Sequence, residues 1–181
     1  MQTCCLLDKV VSRYAVSGLI KLRKGKSPVE AEIYSMNLIK NAGSRIKLFI
    51  PLASANILIQ YIETSKYKKI IKLFLTKVEI AFPTRYFRRW SRRLRDFGFT
   101  REDAAVIALA TFGTNESKNI LGTKFVATLD QPMINNWTAR QTEIKDRYNA
   151  MQADLSYPYN QALLPQVMRP DEISILTGET P

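Results

Sequence analysis

Three aspartates stand where an α/β sheet would gather them. Asp8 closes the apolar run Thr3-Cys4-Cys5-Leu6-Leu7, and Asp130 closes Phe125-Val126-Ala127-Thr128-Leu129. Asp103 lies in the first turn of the helix-like stretch from Arg101 to Ala110. If the two runs are parallel strands, Asp8 and Asp130 emerge at the carboxyl edge of the sheet. A helix that follows a strand starts at that edge, so Asp103 can join them, and ligand sites in open α/β sheets lie there. Converging carboxylates repel one another unless a cation neutralises them, and oxygen-only ligands suit Mg²⁺ or Mn²⁺. Taken singly, each aspartate also has a structural reading. Asp8 can cap the helix after it, Thr100 to Asp103 has a capping pattern, and Asp130-Gln131-Pro132 can start a turn.

Other chemistries are excluded by composition. The chain has no histidine, which removes Ser-His-Asp and Cys-His triads, paired-histidine ribonuclease mechanisms and histidine zinc sites. Its two cysteines, Cys4 and Cys5, are adjacent in a predicted buried strand and build no disulfide framework, so a reducing cytoplasm is expected. The longest uncharged stretch, Leu48 to Ile62, contains Pro51, Asn56 and Gln60 and is too short to span a bilayer. No membrane partner is expected.

Net charge is +11 over 181 residues, unevenly spread. Residues 138–181 carry four basic and six acidic side chains, leaving +13 on residues 1–137. A basic body favours a polyanion, nucleic acid first. The densest cluster is Arg85, Arg88, Arg89, Arg92, Arg93 and Arg95. Phe87, Trp90, Leu94 and Phe97 recur on the opposite face at helical spacing. The arginines read either as a solvated face or as a phosphate-binding surface for nucleic acid, with Tyr86 able to stack on a base.

The elements that would position these residues alternate. Strands are expected over residues 3–8, 46–50, 78–82 and the run ending at Asp130. Helices are expected over 10–24, from Ser27-Pro28-Val29-Glu30 to about Asn41, from Pro51 through Ile62, and over 67–75, 84–97 and 101–112. A polar loop covers 113–122. This alternation predicts a three-layer α/β/α domain with a central parallel sheet. After Pro132 the pattern changes: Trp137 to Asp154 reads as a polar helix, and the proline-punctuated remainder reads as extended. The expected division is a domain at 1–137 and a C-terminal helical or extended appendage at 138–181.

The motifs Leu6-Leu7-Asp8, Gly98-Phe99-Thr100 leading into Asp103-Ala104-Ala105-Val106-Ile107, and Thr128-Leu129-Asp130 resemble those of the PIN-domain family from about residue 3 to residue 135. The resemblance implies a metal-dependent endoribonuclease in which Asp8, Asp103 and Asp130 are catalytic and hold Mg²⁺ or Mn²⁺. It implies RNA as substrate. It also implies a toxin of a toxin–antitoxin pair, with an antitoxin-like protein partner and a homodimer among its assemblies. The chain departs from the family pattern twice. Asn56 stands where members carry a glutamate, a weaker metal ligand without charge, and Lys9-Val10 follows Asp8 where a polar residue is usual two places on. These departures support an alternative: a catalytically impaired PIN-like module that binds RNA or protein. A receiver-type phosphate-signalling domain would need paired acids near the first strand and a late lysine, and this chain has neither.

Overall fold

The computed structural model describes residues 3–43, 45–118 and 122–178. A strand that is apolar along its length has to be covered on both faces, and the first strand is. Six strands, β1 (Thr3–Leu7), β2 (Ile46–Pro51), β3 (Val78–Pro83), β4 (Gly113–Thr114), β5 (Phe125–Ala127) and β6 (Gln166–Met168), form one sheet in the order β4-β3-β2-β1-β5-β6. All neighbours are parallel except β4, which runs antiparallel to β3. β1 is central: Leu6 pairs with Phe49 on one side and with Val126 on the other.

Successive strand side chains point to opposite faces, and the sheet divides its apolar residues that way. Leu6, Phe49, Ala81 and Val126 face one core, shared with α5 (Phe87–Arg95), α6 (Arg101–Phe112) and α7 (Gln131–Gln152). Cys5, Leu7, Leu48, Ile50 and Ala127 face the other core. That core is shared with α1 (Lys9–Arg23), α2 (Glu30–Lys40), α3 (Leu52–Thr64), α4 (Lys68–Leu75) and α8 (Pro170–Leu176). The fold is a three-layer α/β/α sandwich. No helix among the described residues is long and apolar enough to cross a membrane.

α1 and α2 pack through a small residue and a buried charge. A Cβ at Gly18 would lie 3.0 Å from the Cβ of Glu32 and closer still to the Met36 sulfur. Glu32 is 2% exposed. Its carboxylate accepts from the Lys21 ammonium (2.8 Å), the Ser17 hydroxyl (2.7 Å) and the backbone N–H of Val29 (2.8 Å). The helix expected from the Ser27-Pro28-Val29-Glu30 pattern begins by a different cap. The helix starts at Glu30, and Glu32 reaches back to Val29 instead of Ser27 capping forward. Glu32 is thus a capping residue, and a buried rather than a solvated one.

The tail is integrated with the rest. The division at residue 137 falls inside α7, whose buried Ile144, Tyr148 and Met151 lie beyond it. The stretch expected to be extended instead contains a 3-10 turn (Tyr159–Gln161), strand β6 paired with β5, and α8 started by Pro170. Pro165 precedes β6 and Pro170 opens α8, so neither interrupts an element. β4 likewise occupies the start of the expected polar loop; residues 119–121 of that loop, and Glu179 and Pro181 of the tail, lie outside the described residues. The arginine-bearing helix is shorter than its periodicity suggests, Phe87–Arg95, and Gly98 follows it at φ +85°, a conformation that favours glycine.

Candidate functional site

Asp8 follows the last residue of β1 and caps α1, its carboxylate accepting from the Lys9 backbone N–H at 2.6 Å. It is 8% exposed. The Asp8 N–H donates to the Ala127 carbonyl, and the buried Thr128 hydroxyl donates to Asp8 Oδ2 at 3.1 Å. The same Thr128 oxygen accepts the backbone N–H of Asp130 at 3.1 Å. One hydroxyl therefore ties the end of β1 to the turn after β5. Asp130 caps α7 by accepting from Met133 N–H at 3.0 Å.

Asp103 sits in the first turn of α6. The Thr100 hydroxyl accepts its N–H and donates to its Oδ2 at 2.7 Å. All three aspartates thus perform the capping or turn roles open to them from the sequence. They also stand at the N-termini of α1, α6 and α7, where helix dipoles favour negative charge.

Beyond capping, Asp8 and Asp103 act on one another. Burial pushes the Asp8 carboxyl above the usual carboxylate range. The Thr128 hydroxyl, the Lys9 N–H and the Lys9 ammonium draw it back, and the charge of Asp103 adds to the rise. Lys9 makes an ion pair with Glu102, which chiefly raises its own pKa, and it lies in the fields of Asp8 and Asp103. That ion pair is largely solvent-exposed, so it positions Lys9 more than it stabilises the fold.

Among the described residues no group of three or more His, Cys, Asp or Glu side chains gathers closely enough to hold a metal. Asp8 and Asp103 are brought into one field, and Asp130 joins Asp8 through Thr128. Asn56 is exposed on α3. The acidic pair still fits a hard divalent cation by donor chemistry. Mg²⁺ is commonly held by one or two carboxylates, with waters and substrate phosphate completing its shell, and a cation would relieve the like-charge repulsion that Asp103 imposes on buried Asp8.

The basic surface is built by α5. Trp90 and Leu94 are fully buried, Phe87 and Phe97 partly so, which explains the helix's orientation. Arg85, Arg88, Arg89, Arg92 and Arg95 are exposed and Arg93 is half-buried. No carboxylate among the described residues lies within ion-pairing distance of any of the six. The Arg93 guanidinium is pushed below its usual pKa by burial and by the like charges of Arg89 and Arg147. Arg147, on α7, adds its charge beside Arg93, with Asp154 and Asp96 opposing it.

Sequence reasoning assigned no role to Thr128 or to the Lys9–Glu102 pair. The Thr-x-Asp spacing at a strand end was the available signal for the first. The second joins residues 93 positions apart and had none. No protein-family model matches this chain, and no curated protein does.

Proposed function

We propose that the chain is a divalent-cation-dependent endoribonuclease of the PIN type, acting at the edge formed by Asp8, Asp103 and Asp130. The observation that carries this reading is the buried Asp8 carboxylate at the carboxyl edge of the central strand, tied through the Thr128 hydroxyl to Asp130, with a pKa raised chiefly by burial. Perturbed titratable groups at a sheet edge are typical of functional sites. Bound there, Mg²⁺ or Mn²⁺ supplies acidity to a water and positive charge for phosphate oxygens. The chain's own residues do the rest. Asp8 and Asp103 would hold the cation, and Thr128 fixes the Asp8 carboxylate. The arginines of α5 hold flanking phosphates. RNA is the partner in this reading; a toxin role with an antitoxin-like protein partner, homodimerisation and a cytoplasmic setting belong to the same proposal.

A second reading, an RNA- or protein-binding module that does not cut, is favoured by Lys9, whose ammonium already supplies positive charge to Asp8 and Asp103. One assay separates the two. Under the nuclease reading the parent cleaves single-stranded RNA with Mn²⁺ or Mg²⁺, chelator stops it, and Asp103→Asn and Asp130→Asn each reduce the rate roughly 100-fold or more. RNA binding without cleavage at any divalent concentration would establish the binding module. Cleavage that survives chelator and both substitutions would remove the acidic edge from the chemistry.

A further inference from the structure

One large concavity contains none of the three aspartates in its lining. It is an open cleft of about 1040 Å³ between the β3–β4 ribbon and the segment around the 3-10 turn. Phe82, Pro83, Thr84, Tyr157, Pro158 and Tyr159 line it. Glu116 and Lys118 also face it, and their charges offset one another, so the lining is aromatic and close to neutral. Tyr157 is 76% exposed, the most exposed of the large apolar side chains among the described residues. A ring this open at the mouth of a cleft gains little for the fold.

The cleft is joined to the arginine surface by direct contacts. The Tyr159 ring meets the Tyr86 ring edge-on at 4.8 Å, and the Arg85 guanidinium lies 5.5 Å from the centre of the Tyr86 ring. Tyr86 is thereby committed to packing, against Phe112 as well as Tyr159, and the stacking role that its sequence context suggested passes to Tyr157. From this corner α5 runs its nine residues, about 14 Å, to the turn that opens α6 and carries Asp103. The Thr84 N–H and hydroxyl bind the Phe112 carbonyl, fixing the cleft end of α5 to the far end of α6. The aromatic cleft at one end of α5, the α5 arginines and, past the turn at its other end, Asp103 at the start of α6 thus follow one another.

We propose that this cleft is a base-binding site for single-stranded RNA. An unpaired base stacks on Tyr157, and the phosphates leading from it lie along the α5 arginines toward Asp103. Stacking on an exposed aromatic ring requires an unstacked base, which a duplex does not offer, whereas arginines alone would take either form. The inference rests on the RNA reading above but not on cleavage, so its test is run in chelator.

Fluorescence anisotropy with a short single-stranded RNA carrying 2-aminopurine, the duplex of equal length, and an abasic strand of equal charge reads it directly. The parent should prefer the single strand to both other probes and quench the 2-aminopurine. Tyr157→Ala should weaken single-strand binding roughly 5- to 100-fold with an unchanged salt slope, since no charge is removed. Tyr157→Phe should restore both affinity and quenching. Equal binding of the abasic strand or the duplex by the parent, or unchanged affinity in Tyr157→Ala, would overturn the base-binding cleft and leave the nuclease reading standing. A parent that binds no RNA would overturn both.

Discussion

Asp8 carries a conflict that its position imposes. Its carboxylate is buried at the end of a central strand and faces a second negative charge, yet its hydrogen-bond partners, Lys9 N–H and the Thr128 hydroxyl, favour ionisation. The net shift is upward. A group whose pKa is raised by folding stabilises the fold below its unfolded pKa and loses that contribution as pH rises through the folded value. Where Asp8 is ionised its charge is therefore a burden on stability, and a neutral isostere that can still cap a helix should lift it. Asp8→Asn is expected to raise the Tm at pH 7, with the gain shrinking as the pH falls into the carboxylate range, while removing cleavage. Melting curves of parent and variant across that range test this. A variant less stable than the parent at pH 7 would show that the carboxylate is there for structure rather than chemistry.

At the scale of elements, α1 and α2 form a hairpin that depends on Glu32. Burial alone would raise the pKa of this carboxylate, but the bonds from Lys21, Ser17 and the Val29 N–H outweigh it, and the net shift is downward. A depressed carboxyl pKa gives stability that is present above the unfolded value and is lost as pH falls through the folded one. Glu32→Gln keeps the shape but loses the charge, leaving Lys21 beside a neutral amide. It should cost about 1.5–3 kcal/mol at pH 7, with parent and variant converging in acid. Urea unfolding at pH 7 and near pH 3 measures this, and an equal difference at both pH values would mean that packing rather than charge is responsible. Asp103 and Asp130 should be little disturbed, because the hairpin packs on the sheet face that holds Cys5, Leu7 and Ala127 and meets the acidic edge only at Asp8, which caps α1.

The whole molecule is a basic body with an arginine helix that meets no carboxylate at ion-pairing distance among the described residues, and its tail is structurally part of that body. Exchange of Arg88, Arg89, Arg92 and Arg93 for glutamine should flatten the dependence of log K on log salt. The slope should change by about 0.7 for each phosphate of a single strand that is no longer neutralised. The Tm should hold, since Trp90 and Leu94 supply the buried face. Identical salt slopes in parent and variant, read by anisotropy on a short RNA, would take α5 out of the binding surface. Integration of the tail has its own consequence. Deleting residues 138–181 removes Ile144, Tyr148 and Met151 from one core, Ile173 from the other, and β6 from its pairing with β5. The truncated chain is expected to lose cooperative unfolding and to aggregate through the exposed β5 edge, which circular dichroism and light scattering would detect. A truncated chain that melts like the parent would make the tail dispensable.

Local patterns in the sequence determined the elements up to about residue 112. Continuous apolar runs could only be buried strands, as at Cys5–Leu7 and Leu48–Ile50, and the helix starts at Arg101 and after Asp8 follow from capping chemistry within a few residues. The order of Asp8, Asp103 and Asp130 at strand ends and a helix start was legible for the same reason, as was the buried stripe of α5. What required the tertiary structure depends on contacts distant in the chain. β6 is three residues long and pairs because β5 offers it an edge, not because Gln166-Val167-Met168 has a strong pattern of its own. Thr128 acquires its role only when β5 lies beside β1, and Lys9 meets Glu102 only when α6 packs over the sheet. The cleft under Tyr157 exists because residues 157–161 return to meet β3 and Tyr86. Periodicity and caps are short-range and survive in one dimension; the meeting of side chains brought together by sheet order is long-range, and the sheet order is set by how two cores are buried at once.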